Sequence, residues 1–513
     1  MRSEARTVGA VAILMAFFAS SVALAMSEDD YFKPLGRPQE AHRKSIKGGE
    51  GVPPLPLPAT PLRRSERKRE PAPPTLVGKV IWGASADFVG EDGAKVQISD
   101  WNLAPADCQQ LLKKAATHLK MQYRCVDLNL NTFSGDPAEM PVLFFSGGRT
   151  LRLPDEQIAT LRKYVLSGGT VWMDSVAGSP FYYKGCVETL KKAFPEENLR
   201  RIPLDHPLFH MIADMDKTDK ASLPAVGAGK EPVLEGIYVG CRVGVVVSKF
   251  GLGCGWDNFT PDYSIKQALY YTVTDSNLIG LNMVAYAVGY AELGKAHSRP
   301  ELFGEGDRKT PTNEFVFAQV KHDGVWNTDP GGPENLLRTL ARDTNVKVTF
   351  RRKTVDPATD SLKDVQFLYL SGCHDMVLSA SSVEALRGFL GRGGTLFIDN
   401  SQGLKTFDLA ARRELKKIMP SAELKPIGLD HEIYSSYFKI SRVAFTPAVQ
   451  RLDPKLAIPE LEGLQLDGDL RVLYSKYDVG GGWQGDEHPQ AKGYAVSDAM
   501  RLGVNIVTYA MTH

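Results

Sequence analysis

The sequence predicts two α/β domains in tandem, each a mostly parallel sheet with an antiparallel extension. Three observations carry this prediction. The chain matches itself when slid by 225 residues. Each half alternates strand-like apolar runs with helix-periodic runs. The last third of each half is Gly-rich and alternates in polarity, as antiparallel strands do.

The self-match needs no gap over a long window. Trp101-Asn102 falls on Trp326-Asn327, Ser146-Gly147 on Ser371-Gly372, and Gly168-Gly169-Thr170 on Gly393-Gly394-Thr395. Asp174 falls on Asp399 and Asp205-His206 on Asp430-His431. Further along, "SKFGLGCGW" (248–256) matches "SKYDVGGGW" (475–483), and "GLNMVAYA" (280–287) matches "GVNIVTYA" (503–510). Such a match marks duplication of a whole domain, because the period is far longer than that of a solenoid repeat.

Within each half, "KVIWGAS" (79–85) and "FVFAQVKH" (315–322) read as strands. Helical spacing follows in 107–120 and 333–344. "QYRCVDL" and "VKVTFRR" are strand-like again. "PVLFFSGG" and "QFLYLSGC" are continuous apolar runs, as in strands buried on both faces. In 154–169 Ile158, Leu161 and Tyr164/Val165 recur at helical spacing, between Pro154-Asp155 and Gly168-Gly169 as start and stop. "TVWMD" and "TLFID" are the next strands, followed by helices near 184–194 and 407–418. Strand, helix, strand with short loops is a βαβ unit and requires a parallel sheet. "LEGIYVGCRVGVVVSKFGLGCGW" then supplies the antiparallel extension, and an apolar helix closes each unit. The expected fold is flavodoxin-like (amidotransferase-like) in both halves.

The flanks read differently. Arg2 and Arg6 precede an apolar run from Val8 to Ala25 that ends Ala23-Leu24-Ala25, the pattern of a cleaved export signal. An uncleaved anchor is the alternative, since the run is nearly long enough to span a bilayer. Residues 26–76 hold prolines and the basic cluster Arg63 to Arg69, the composition of an extended, disordered tether. The first repeat is assigned to 77–297, a linker to 298–311 and the second repeat to 312–513. A net charge of +1 gives no field to attract nucleic acid or an anionic membrane. Membrane contact is expected only through an uncleaved signal segment. The six cysteines include no CxxC or CxxH pair, so neither a metal site nor a cofactor is expected. Export would permit disulfides, but spacing leaves their pairing open.

The "FFSGG"/"YLSGC" strand ends, "LSGGTVWMD"/"GRGGTLFID", "LDHPLF" and the closing helices together resemble the bacterial family called domain of unknown function 4159. The resemblance covers both halves. It implies a relative of class I glutamine amidotransferase-like domains and implies no particular activity. The second unit departs from the first in having His431-Glu432 where the first has His206-Pro207.

In open α/β sheets ligands bind beyond the carboxyl ends of the strands. Ser146, Gly147, Asp174 and Ser175 fall there in one repeat, and Ser371, Gly372, Asp399 and Asn400 in the other. Asp205-His206 and Asp430-His431 could fold over the same edges and complete an acid–base set. The structural alternative is that the aspartates cap turns and that each serine is a tight strand exit. Cys373, next to His374, sits where amidotransferase-like folds place a nucleophile, with His374 or His431 as base. "SGCHD" nevertheless lacks the GxCxG or GxSxG form of a nucleophile elbow. Trp256 and Trp483 are candidate platforms for sugar or peptide, and Lys249 and Lys476 candidate anion contacts; core packing and exposed strand lysines are the plainer roles.

The leading expectation is an exported protein, periplasmic or extracellular, that binds an envelope protein or small ligand without catalysis. An amidotransferase-like or hydrolase enzyme using Cys373 and a carbohydrate-binding module are the alternatives. The enzyme reading requires Cys373, His431 and Asp399 to converge within hydrogen-bond reach, ~3 Å.

Overall fold

The computed structural model describes residues 26–35, 72–89, 95–215, 231–258, 265, 268–298, 314–350, 352–421, 423–485, 488 and 490–513. The expected signal segment 1–25, most of the expected tether and nearly all of the expected linker between repeats lie outside these residues.

The first repeat runs β1 (Thr75–Val80), β2 (Ser85–Val89), β3 (Lys95–Ser99), α1 (Asp107–Leu119), β4 (Arg124–Leu128), β5 (Val142–Gly147), α2 (Asp155–Leu166), β6 (Thr170–Ser175), α3 (Pro180–Ala193), β7 (Arg200–Arg201), β8 (Leu234–Val239), β9 (Arg242–Ser248), α4 (Gly253–Trp256), α5 (Val273–Gly289) and α6 (Ala291–His297). A seven-stranded sheet has the order β4-β1-β5-β6-β9-β8-β7. It is parallel from β4 to β9, and β8 and β7 extend it antiparallel. The parallel strands thus follow the flavodoxin-like 2-1-3-4-5 order.

The second repeat has the same plan: β10 (Ala318–Val320), α7 (Gly332–Asp343), β11 (Lys353–Val355), β12 (Phe367–Gly372), α8 (Ala380–Gly391), β13 (Thr395–Asn400), α9 (Lys405–Ile418), β14 (Lys425–Pro426), α10 (Pro447–Leu452), β15 (Leu461–Leu466), β16 (Asp469–Ser475), α11 (Gly480–Gln484) and α12 (Val496–Thr512). Its sheet order, β11-β10-β12-β13-β16-β15-β14, repeats the first. The β2–β3 hairpin stands outside both sheets and is not foreseen from sequence. The run 346–352 contributes only the bridge Phe315–Val348; the edge strand β11 forms just after it.

Period-2 alternation explains why the strands read as continuous apolar runs. Phe144, Trp172 and Val246 face α1 and α5, whereas Leu143, Phe145, Val171 and Met173 face α2 and α3. In the second repeat Tyr369 and Phe397 face α7 and α12, and Leu368, Leu370, Leu396 and Ile398 face α8 and α9.

Trp256 and Trp483 belong to these cores, fully buried, with their indole N–H groups donating to Ser276 and Ala499 carbonyls. Each closing helix carries a glycine against the indole: a Cβ on Gly280 or Gly503 would lie 2.5 Å from Nε1. Neither tryptophan is therefore a sugar platform. Lys249 lies over the Tyr183 ring and Lys476 pairs with Glu460.

Residues 26–35 depart from the tether expectation. They form a short 3-10 turn whose Tyr31 and Phe32 are buried. An aromatic pair can bury enough apolar surface to hold a segment that is otherwise polar. All six cysteines are free thiols. Among the described residues no helix is long and apolar enough to cross a membrane.

Candidate functional site

The matched strand-end residues do the same structural work in each repeat. Ser146 Oγ donates to the Trp101 carbonyl at 3.2 Å, and Ser371 Oγ to the Trp326 carbonyl at 2.8 Å. Asp174 accepts the backbone N–H groups of Leu252 and Gly253 at 2.7 and 2.8 Å. Asp399 accepts those of Val479 and Gly480 at 3.1 and 2.7 Å, and also the Tyr369 hydroxyl at 2.8 Å. These aspartates cap the turn after the last parallel strand, far along the chain. Burial pushes the Asp174 carboxyl up to about 7, against the pull of its two amide donors. Asp399 is raised as well, by burial and then by Asp478. Gly147, Ser175, Gly372 and Asn400 are buried beside them, with the Asn400 side chain bonded to the backbone of Leu404.

The two Asp-His elements share one geometry. His206 and His431 each precede a 3-10 turn, with φ/ψ of −69/139° and −68/138°. In each, Nδ1 accepts a backbone N–H two residues on, from Leu208 or Ile433, at 3.2 Å. In both histidines Nδ1 is therefore an acceptor, and the ring proton is on Nε2. Pro207 is not needed for the bend, since Glu432 supports the same dihedrals. His206 is fully buried between Tyr238 and Tyr286, and burial lowers it to about 3. His431 packs on Tyr509.

The aspartates diverge. Asp430 is exposed. Asp205 accepts the backbone N–H of Thr406 at 2.8 Å and its hydroxyl at 2.7 Å, so it caps α9 of the other repeat. The helix equivalent to α9 in the first repeat, α3, has its own cap, Ser179. At the matching place α9 has Leu404, which supplies no capping bond.

Cys373 does not meet His431 and Asp399. It is fully buried, packed into the core of the first repeat together with Leu404, and burial raises its thiol far above the usual range. His374 Nε2 donates to the Arg201 carbonyl (2.8 Å), and the ring lies against Tyr238. His431 is on Tyr509, and both Asp399 oxygens are engaged by backbone amides. A buried protonated thiol with no base beside it is a poor nucleophile.

The carboxyl edges of the two sheets are closed in different ways. In the first repeat, Tyr31 and Phe32 pack over Leu103, Ala104, Val176, Ala177 and Cys254. In the second, the matched positions hold Asp329, Ser401, Gln402 and Gly481, and the cover comes from the first repeat. The Gly240-Cys241 tip of the β8–β9 hairpin reaches this edge: Cys241 N–H donates to the Thr328 carbonyl at 3.0 Å, and Gln402 Nε2 donates to the Cys241 carbonyl at 2.9 Å. Gly240 sits at φ +61°, and a Cβ there would meet His297 and Thr328 at 2.5 and 2.7 Å. Ala177 and Gln402 both adopt positive φ, 53° and 65°, so the strained strand exit is common to both edges.

At this junction four ligand-type side chains converge: Cys241 and His297 from the first repeat, Asp329 and His488 from the second, with their donor atoms all within 4.8 Å of one another. All four are buried. Cys241 Sγ is 3.3 Å from His488 Nε2 and 4.0 Å from Asp329 Oδ1; His488 Nε2 is 3.8 Å from that oxygen. Burial and then Asp329 raise the Cys241 thiol. Burial would raise Asp329 too, but the neighbouring His488 outweighs it and holds the carboxyl low. Burial lowers His297 to about 4. Sequence matching could not find this set, because it follows residues the repeats share. Asp329 falls opposite Ala104 and Cys241 opposite Gly468 in the two copies.

The family model described as Domain of unknown function (DUF4159) matches the chain twice, over residues 93–288 and 316–511. No curated protein matches the chain.

Proposed function

We propose, from the premise that this chain belongs to the DUF4159 family as a tandem pair, that it is an exported, non-catalytic binding or scaffold protein of the cell envelope. The carrying observation is that both sheet edges where α/β enzymes place their chemistry are closed by the chain itself, with Cys373 wholly buried under the first repeat. The export half of the reading rests on the Arg2/Arg6 start and the Ala23-Leu24-Ala25 ending. Met26, directly after that ending, packs at the margin of the Tyr31 cluster. The partner is an envelope protein or a small ligand bound to the outer surface of the joined repeats.

Two measurements test this. Mass analysis of the protein from its native host should give a chain beginning at Met26; a retained leader would make it an anchored protein. Native protein treated with a small thiol-reactive electrophile should leave Cys373 unlabelled. Rapid stoichiometric labelling of Cys373, with glutamine or ester hydrolysis lost in Cys373→Ala, would establish the enzyme reading instead.

A further inference from the structure

We propose that Cys241, His297, Asp329 and His488 form a metal site that binds one divalent transition-metal ion, zinc by ligand chemistry, and clamps the two repeats together. The inference goes beyond the binding role above and does not depend on it.

The donor set is the first argument. One thiolate, two imidazoles and one carboxylate are the ligands of tetrahedral zinc, and two anionic ligands neutralise a dication in a buried place. Zinc bonds of ~2.0–2.3 Å give tetrahedral edges of about 3.3–3.8 Å. The observed separations of 3.3, 3.8 and 4.0 Å among Sγ, His488 Nε2 and Asp329 Oδ1 are close to those edges.

The second argument is independent of the first. His297 Nε2 is buried with no hydrogen-bond partner, while its Nδ1 lies 3.2 Å from the Val239 carbonyl. A backbone carbonyl on Nδ1 fixes the proton there and leaves the Nε2 lone pair free, as in the outer shell of zinc-bound histidines. A hydrogen-bond network alone leaves that buried nitrogen unsatisfied, which is costly. The 3.8 and 4.0 Å contacts to Asp329 Oδ1 are also too long for strong hydrogen bonds. A cation between the four atoms satisfies all of them.

The outer shell fits as well. Ser401 Oγ donates to Asp329 Oδ2 at 3.0 Å and holds the carboxylate with Oδ1 inward. Tyr290 and His297 flank the His488 ring. Ligation through His488 Nε2 puts the proton on Nδ1. The Gln402 amide, whose Nε2 is 3.2 Å from Nδ1 and whose Oε1 has no partner, then rotates to present oxygen, giving up its bond to the Cys241 carbonyl. On binding, the Cys241 thiol loses its proton to solvent and the sulfur lone pair forms the metal bond.

The test uses the full mature chain, purified without chelator. Elemental analysis should give one zinc per chain. After stripping, cobalt(II) should restore one equivalent and produce a thiolate-to-cobalt charge-transfer band. Cys241→Ser should abolish that band, and His297→Gln should weaken cobalt binding roughly tenfold or more. Circular dichroism shows whether each variant is folded. If folded wild-type protein takes up no stoichiometric zinc or cobalt, the proposal is wrong whatever the variants do. An unchanged cobalt spectrum in Cys241→Ser would overturn it equally.

Discussion

Asp205 of the first repeat caps the helix that begins at Lys405 in the second, through two bonds to Thr406 at 2.8 and 2.7 Å. The duplicated Asp430 is exposed, and among the described residues no helix cap is formed by it. The helix it would serve in the other copy already has Ser179. The helix of the first repeat thus carries its own cap, whereas its counterpart in the second repeat is capped by the first.

Asp205→Ala should therefore destabilise the protein by about 1–2 kcal/mol, the cost of an N-cap, and Asp430→Ala should change stability by less than about 0.5 kcal/mol. Urea unfolding midpoints of the two variants check this. Equal effects would mean that the cross-repeat bonds contribute nothing.

The buried histidines and carboxyls give opposite pH dependences. His206 is lowered to about 3 by burial, so between there and the ordinary ~6.5 the unfolded chain binds a proton that the native state refuses. Its contribution is complete above ~6.5 and is lost on acidification. His322, lowered to about 4, acts with the same sign. Asp174 is raised to about 7: its contribution is complete below the unfolded ~3.9 and is lost as pH rises through 7. The stability advantage of wild type over His206→Asn should shrink from ~pH 7 to ~pH 4, and its advantage over Asp174→Asn should shrink in the opposite direction. Parallel curves for wild type and either variant would refute the assignment.

The N-terminal segment should protect the first sheet edge. Phe32 packs under the Arg149 guanidinium, 3.8 Å from its ring centre, and Tyr31 against Phe181. Removing 26–35, or changing both aromatics to Ala, should expose Cys254 and raise its rate of thiol labelling at least about tenfold. Full truncation of a buried aromatic costs roughly 3–5 kcal/mol, so the segment should detach and not merely loosen. Unchanged labelling of Cys254 would show that the segment is not its cover.

Much of the scaffold was legible in the sequence, and most of the junction was not. The runs at 142–147 and 395–400 are strands because both faces are buried, and a continuous apolar run records that directly. That Asp174 and Asp399 are caps was readable from residue type; that their partners are the amides at 252–253 and 479–480 was not, because a cap formed across the fold has no fixed sequence offset. The repeat match points to the Asp-His pairs, which are shared scaffold positions, and Cys373 stands out only by its place at a strand end. Cys241 and His488 are 247 residues apart and meet only when one repeat closes on the other. The difference between Ala104 and Asp329 at equivalent edges is the sequence trace of that junction.

The first repeat's hairpin tip seals the second repeat's sheet edge. Amide hydrogen exchange at Cys241 tests it most directly, because that N–H is bonded only across the junction, to the Thr328 carbonyl at 3.0 Å. The Cys241 amide should exchange as slowly as the amides of β9, opening only with the larger unfolding of the body. Exchange near the rate of a free peptide, with β9 still protected, would show that the repeats do not close and would contradict the account.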